Sequence, residues 1–163
     1  MKKKYIVCII FVLFLFIGIV LYVINKNEFD IGKESDIEIV DKGISLSIKE
    51  NTLKNTGATL VLKNDSDVDV IYGNPYEIEI KKDGKWYKIQ VMIDFTLPAY
   101  YLKSKETKEI ELNWENGYGK LSKGNYRIIK SIDIEKENEI FETFYISAEF
   151  TIKWWNDLIK IHI

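Results

Sequence analysis

Residues that usually carry enzyme chemistry are scarce in this sequence. The 163 residues include one cysteine and one histidine, and the histidine, His162, is second from the C-terminus. The chain therefore has no Ser–His or Cys–His pair placed for nucleophilic catalysis. Lysine and arginine total 23 against 25 aspartates and glutamates, and the formal net charge is −2. Because phosphate binding needs a concentrated basic face, this balance argues against nucleic acid as a partner.

Cofactor and acid–base patterns are also absent. The spacings of Walker, dinucleotide-binding and zinc-ribbon motifs do not occur. Two pairs of carboxylates, Glu77 with Glu79 and Glu109 with Glu111, lie two residues apart and so share a strand face. In an antiparallel sandwich that face is usually solvated. We expect no catalytic residue, no cofactor and no metal site, and hence a protein that is not an enzyme.

Three alternating aspartates resemble part of a calcium loop. They are Asp65, Asp67 and Asp69. A calcium-binding EF-hand loop that began at Asp65 would need glycine at its sixth position and glutamate at its twelfth, where this chain has Val70 and Tyr76. The pattern favours a solvated turn, and a loose calcium site between strands is the alternative.

The N-terminus has the pattern of a membrane anchor. Residues 5–24 contain no charge and no proline, and Lys2, Lys3 and Lys4 precede them. As a helix, this run would span about 30 Å, the thickness of a bilayer's hydrocarbon core. The positive-inside rule places the N-terminus in the cytoplasm and the rest of the chain outside the cell. Residues 1–24 are therefore predicted to be a single-pass signal anchor.

A cleaved secretory signal is the alternative interpretation of this segment. Its apolar region would be shorter and would end in a small-residue cleavage site. No Ala-x-Ala pattern follows residue 21. Cys8 lies near the start of the run, which is the wrong place for a lipoprotein anchor.

The remainder of the chain is acidic and free of cysteine. Residues 25–163 contain all 25 acidic residues and 20 of the 23 basic ones, for a net charge of −5. Without disulfides this part must fold on its hydrophobic core alone. We divide it into a stalk or linker at 25–42, a folded domain at 43–152 and an apolar C-terminal tail at 153–163. Within the stalk, a first short strand at 37–40 is an open alternative.

Alternating apolar and polar residues predict short strands throughout the domain. The alternation is clearest at residues 44–48, 58–63, 76–81, 86–89, 109–114, 126–129 and 144–152. Asp83-Gly84 between two of these runs suits a tight hairpin turn. About seven strands without a convincing amphipathic helix predict an all-β fold, an immunoglobulin-like antiparallel sandwich.

The order of several short motifs resembles a known family. From residue 44 to 152 the chain is similar to a bacterial immunoglobulin-like domain of Gram-positive, clostridia-like surface proteins and lipoproteins. The resemblance implies an immunoglobulin-like fold, a surface location and little about activity. The motifs that carry it are Leu53 to Leu60, Tyr72 to Glu79, Gly84 to Tyr87, Asn113-Trp114, Tyr118 to Leu121, Gly124 to Ile128 and Tyr145 to Phe150.

Aromatic residues suggest both a core and a contact surface. Trp86, Trp114 and Tyr126 fall inside strand patterns, where we expect burial. Two loop regions are predicted to expose aromatic and polar side chains at the ends of the sandwich, where such folds usually place recognition. The predicted partner-contact patch consists of Tyr72, Asn74, Tyr76, Tyr100 and Tyr101.

The tail is unusually apolar for a chain terminus. It begins with Trp154 and Trp155, and tryptophan favours the membrane–water interface. The tail is therefore predicted either to lie on the membrane or to dock on the sandwich edge as a last strand.

Together these features predict a non-catalytic interaction or structural module of the cell envelope. We expect a protein partner, and the pattern leaves its identity and the oligomeric state open. An inhibitor or sensor of an envelope enzyme such as a protease is one alternative, favoured by the loop Leu97-Pro98-Ala99. A carbohydrate- or cell-wall-binding module is another.

Overall fold

A computed structural model describes residues 2–25, 30–96, 98–136 and 140–153, with side chains of the N-terminal helix described at residues 9–20. Two helices and ten strands occur in this part of the chain. They are α1 (Lys2–Asn25), β1 (Ile31–Glu34), β2 (Ile44–Ile48), β3 (Gly57–Asn64), β4 (Val70–Tyr72), β5 (Glu77–Lys82), β6 (Lys85–Ile89), β7 (Tyr100–Leu102), β8 (Thr107–Asn113), α2 (Glu115–Tyr118), β9 (Gly124–Glu135) and β10 (Phe141–Ile152).

The strands form two antiparallel sheets. The smaller sheet has the order β2-β3-β8. The larger one has seven strands, with β9 at its centre. One side of β9 pairs with β10 along its whole length, and the other side pairs with β5 and then with β4. Strands β6 and β1 extend the sheet beyond β5, and β7 extends it beyond β4. The chain therefore enters the large sheet at one edge, through β1, and leaves it at another, through β10.

The hairpin of β5 and β6 confirms the predicted turn. Asp83 and Gly84 lie between the two strands with φ angles of 50° and 82°. A two-residue turn whose twist matches the strands requires positive φ at both positions, which aspartate tolerates and glycine adopts without strain.

The core lies between the two sheets and is rich in aromatic rings. Trp114 and Tyr126 are completely buried, as predicted. The Phe150 ring lies 5.7 Å from that of Trp114 and 5.6 Å from that of Tyr126. The indole N–H of Trp114 donates to the Asn55 carbonyl at 2.9 Å, so the burial of this ring leaves no donor unpaired. Trp86, however, is only half-buried, and its predicted place in the core was wrong.

The predicted count of about seven strands was too low, because ten occur among the described residues. Strands β4 and β7 were missed because each has three residues, too few to show an alternation. Strand β1 was missed because it lies in the segment that was predicted to be a stalk. It pairs with β6 through Ile31 and Glu34.

Residues 35–40, which we call the strap, also belong to the folded domain and not to a stalk. The Ser35 N–H donates to the Trp86 carbonyl on β6 at 2.8 Å, and the Val40 N–H donates to the Tyr145 carbonyl on β10 at 3.0 Å. Because β5 and β9 lie between β6 and β10, the strap must cross the sheet. The Ser35 hydroxyl accepts a hydrogen bond from Arg127 at 3.3 Å, which places the strap on the outer face.

Helix α1 has an apolar surface over its described side chains. The apolar side chains described at residues 9–20 are exposed. Among the described residues, no helix is both long enough and apolar enough to cross a membrane. The anchor over residues 5–24 stays a prediction.

Candidate functional site

The structure divides the predicted contact patch into a buried and an exposed part. Tyr72 and Tyr76 are buried, with 6% and 9% of their surface exposed, whereas Tyr100 and Tyr101 are 42% and 66% exposed. Tyr72 ends β4 with its ring towards the core, two residues after buried Val70. The prediction that Tyr72 and Tyr76 are surface residues was therefore wrong.

Tyr76 belongs to an aromatic cluster under the loop that precedes β5. Its ring lies 5.2 Å from that of Phe95 and 6.0 Å from that of Tyr118. Burial raises the pKa of Tyr76, and it raises the pKa of Tyr118 to about 12. The Tyr118 hydroxyl accepts a hydrogen bond from the Ile78 N–H at 3.0 Å. Both phenols therefore stay protonated near pH 7 and pack in the core.

The loop between β4 and β5 is held in place from both sides. On the surface, the half-exposed Asn74 donates its amide N–H to the Thr96 hydroxyl at 2.9 Å. From below, the Lys130 ammonium donates to the carbonyls of Gly73 at 2.8 Å and Pro75 at 3.0 Å. Lys130 is 1% exposed, and burial lowers its pKa to about 8. These hydrogen bonds hold the loop in one position next to the exposed tyrosines.

Tyr100 and Tyr101 lie on β7, an edge strand, and point to opposite faces. The Tyr100 ring packs 5.3 Å from the Tyr72 ring, so part of its surface supports the core. Tyr101 pairs with Ile71 across the ladder and faces away from the core, because successive side chains alternate. Of the five predicted patch residues, Tyr101 is the aromatic ring freest to contact a partner.

A buried ion pair lies on the outer face of the large sheet, below the strap. The Arg127 guanidinium donates to Glu79 Oε2 from Nε at 2.7 Å and from Nη2 at 2.6 Å. Glu79 is fully buried and Arg127 is 7% exposed. Trp86 covers the pair, with its ring centre 4.8 Å from the Arg127 Cζ. The prediction that the face of Glu79 is solvated was wrong.

The Glu79–Arg127 ion pair helps to hold the strap on the sheet. Both guanidinium contacts go to Oε2, and the buried Oε1 of Glu79 has no hydrogen-bond partner within the described residues. The guanidinium also reaches the Ser35 hydroxyl of the strap at 3.3 Å. The arrangement therefore stabilises the sheet and the strap.

The three aspartates of the suggested calcium loop point to separate partners. Asp65 pairs with Lys63 at 2.9 Å and Asp67 with Lys105 at 2.8 Å. The hydrogen bond from Lys105 lowers the pKa of Asp67. Asp69 accepts from the Ser104 N–H at 2.8 Å. Within the described ranges, no group of three histidine, cysteine or acidic side chains could hold a metal ion.

One cleft of the domain was not anticipated from the sequence. It has a volume of about 680 Å³ and lies where the chain enters the domain, beside Asp30. The only signal in the sequence is the alternation of Val91, Ile93 and Phe95 just after β6. Met92 is fully exposed at its rim. The residues that line the cleft are Asp30, Glu77, Lys88, Ile89, Gln90, Val91, Met92, Ile93 and Phe95.

Lys130 and Arg127 were not identified from the sequence. Lys130 had a signal, because it occupies a core-facing position of β9 between Tyr126 and Ile128 on one side and Ile132 on the other. Several predicted residues lie outside the described part of the chain, namely Leu97 of the extended loop, Trp154 and Trp155 of the tail, and His162.

Comparison with known proteins agrees with this architecture. No protein of curated function gives a significant match. One solved structure, described as the crystal structure of a protein from Archaeoglobus fulgidus, is similar over 68% of this chain and 97% of its own. It has 16% sequence identity and a TM-score of 0.26, too low to indicate a shared fold. The family model of a bacterial Ig-like domain matches residues 40–151, which include β2 to β9 and nearly all of β10. The chain belongs to the bacterial Ig-like domain family.

Proposed function

We propose that this protein is a non-catalytic recognition module held at the outer face of a bacterial membrane. Its membership of the bacterial Ig-like domain family supports a surface role. The matched domain occupies most of the chain after the N-terminal helix. The run of 20 uncharged residues after three lysines supports the anchor. The domain then faces the cell envelope, as expected for a protein of Gram-positive type.

The observation that carries the proposal is the exposure of Tyr101 beside a rigid loop. Tyrosine is enriched at binding hot spots because it offers a large contact area and a polar tip. The Lys130 and Asn74 contacts hold the neighbouring loop, so little ordering is needed when a partner binds. Two-dimensional confinement by the anchor raises the effective concentration of the site, so weak contacts suffice.

The ion pairs of the described acids support a non-catalytic role. Glu79 is neutralised by Arg127, and the exposed Glu109 pairs with Lys49 at 2.7 Å. Both carboxylates are therefore engaged by basic side chains within the folded domain.

The anchor predicts a clear fractionation result. The full chain should stay in the membrane fraction through alkaline carbonate washing, and a chain without residues 1–24 should not. Protease added to intact protoplasts should remove a C-terminal tag, since the domain is placed outside. A full chain released by carbonate, or a tag protected in intact protoplasts, would contradict the anchored external arrangement.

The contact surface predicts a difference between two adjacent tyrosines. Tyr101→Ala should reduce crosslinking of the tagged full chain to its envelope partner in intact cells by about tenfold or more, with an unchanged melting temperature. Tyr100→Ala is the matched control. It should lower the melting temperature, because the Tyr72 contact is lost, and leave partner crosslinking in place.

The same experiment tests the alternative roles. Equal crosslinking by wild type and Tyr101→Ala would remove Tyr101 from the contact surface. Recovery of one envelope enzyme, such as a protease, would indicate an inhibitor or sensor.

A further inference from the structure

The outer face of the large sheet has an open half above the strap. Across four neighbouring strands, Tyr101 lies opposite Ile71, Ile71 opposite Asp133, and Asp133 opposite Thr143. Tyr145 lies opposite Ser131. These side chains point outward because their neighbours Ile132, Phe144 and Ile146 are buried in the core. We call this set of six residues the platform.

The strap defines the lower border of the platform. Ile129 faces outward on β9 but is 2% exposed, as expected where the strap crosses the sheet. On β10 the strap reaches Tyr145, whose carbonyl accepts a hydrogen bond from the Val40 N–H. Two residues beyond Ile129 on β9, the outward Ser131 is partly exposed. Tyr145 is 38% exposed and Tyr101 is 66% exposed, so both rings are accessible at the two sides of the platform.

A shallow pocket of about 230 Å³ is lined by three platform residues, among them Ile71, the strand partner of Tyr101. Its polar groups include the Ser131 hydroxyl and the Asp133 carboxylate. Asp133 Oδ1 accepts a hydrogen bond from the Thr143 hydroxyl at 2.5 Å, and among the described residues Oδ2 has no such bond. The pocket is lined by Ile71, Tyr72, Gly73, Pro75, Pro98, Ala99, Ser131 and Asp133.

The size of the platform favours a small ligand over a protein. Tyr101 and Tyr145 are three strand spacings and two residues apart, about 14 Å by 7 Å. That footprint is on the order of 100–200 Å², whereas a stable protein partner needs roughly 800 Å² on each side. The edge of β7 adds only three residues for pairing with a partner strand.

The chemistry of the platform matches a sugar ring. A pyranose has weakly positive C–H groups on its faces and hydroxyls around its rim. Tyrosine faces carry negative charge density that attracts such C–H groups, and Ser131, Asp133 and Thr143 provide donors and acceptors between the rings. The one charged group that lines the pocket is an acid, which disfavours phosphate-bearing polyanions.

We infer that the platform binds a short stretch of a neutral cell-wall glycan, with Tyr101 and Tyr145 stacking on sugar rings and Ser131 and Asp133 binding hydroxyls. This inference rests on the proposed function, because the glycan is accessible only to a domain outside the cell. It assigns the ligand class of the recognition surface around Tyr101.

The test is titration of the full chain in lipid nanodiscs with two defined probes, tetra-N-acetylchitotetraose and cellotetraose, by calorimetry. At least one probe should bind saturably. Tyr101→Ala should weaken binding by about tenfold or more, and Tyr101→Phe should retain it. Asp133→Asn should weaken binding less, since one acceptor remains. Tyr100→Ala, on the opposite face of β7, should bind like wild type.

Two outcomes would overturn the inference. One is absence of binding to both probes at millimolar concentration and to purified sacculi stripped of teichoic acid. The other is wild-type affinity in Tyr101→Ala. If crosslinking in cells depends on Tyr101 but neither probe binds, the proposed recognition function is supported and the glycan inference is contradicted. If a probe binds but carbonate releases the chain from membranes, the glycan site is supported and the membrane anchor is contradicted.

Discussion

Arg127→Met is expected to destabilise the domain by about 3–5 kcal/mol, because it leaves the Glu79 carboxylate buried without its cation. Glu79 is fully buried and two nitrogens of Arg127 contact its Oε2. The variant also loses the contact of the guanidinium with Trp86 and its hydrogen bond to Ser35. We therefore expect the strap to become more accessible to protease as the free energy of unfolding falls.

A double substitution separates the charge from its surroundings. Arg127→Met with Glu79→Leu removes both charges and the unpaired Oε1 together. Such replacements of a buried pair are often neutral or stabilising by about 1–4 kcal/mol, so the double variant should be clearly more stable than Arg127→Met alone. The free energies come from urea unfolding of the full chain in detergent, combined as a double-mutant cycle.

An exposed ion pair provides the control for this cycle. Lys85 and Glu34 contact each other at 2.8 Å, with more than half of each side chain exposed. Lys85→Met should change stability little, since solvent screens this pair. If Arg127→Met costs no more than Lys85→Met, the buried pair does not hold the strap.

Lys130 is expected to make the domain more stable as the pH rises from 8 to 10. Burial lowers its pKa from 10.5 to about 8 in the folded state. In that window the folded chain has released the proton that the unfolded chain still binds, and stability rises wherever the unfolded state binds more protons. At about 1.4 kcal/mol per unit of pKa, the rise amounts to roughly 2–3 kcal/mol.

Above pH 10 the trend should reverse. Burial raises the pKa of Tyr118 from 10.0 to about 12, so the folded phenol keeps its proton while the unfolded one ionises. Stability then falls with pH, because the folded state binds more protons. The free energy of unfolding should therefore pass through a maximum near pH 10.

Lys130→Met isolates the contribution of the lysine. This variant should lose the rise between pH 8 and 10 and keep the fall above it, as followed by urea unfolding at each pH. Lys63→Met is the control, since Lys63 is half exposed and pairs with Asp65, and it should keep both parts of the curve. A rise that persists in Lys130→Met would assign it to another group.

Most of the β-structure could be predicted from local patterns. The residues of β2, β3, β5, β6, β8 and β10 alternate over four or more positions, and the Asp83-Gly84 turn has specific backbone requirements. Strands β4 and β7 could not be predicted, because three residues show no period. Strand β1 and the path of the strap across the sheet could not be predicted either, since they depend on pairing with β6 and β10, which follow much later in the chain.

The candidate site was predicted less completely, for a related reason. Tyr72 and Tyr101 look equivalent in the sequence, as aromatic residues next to loops. Which of them is exposed depends on the face of β4 or β7 that meets the core, and a shift of one residue in register would exchange the two faces. Ser131, Asp133 and Tyr145 were not identified, because their proximity to Tyr101 arises from four strands in one sheet.

The sequence by itself determined the class of the fold and its family, because these depend on composition, local periodicity and the order of motifs. Only the tertiary structure decided that Lys130 and Glu79 are buried polar groups, that the strap closes the outer face, and that Tyr101 faces solvent. Each of these depends on which strands pair and in which register. Burial and charge pairing are properties of that arrangement and have no local signature.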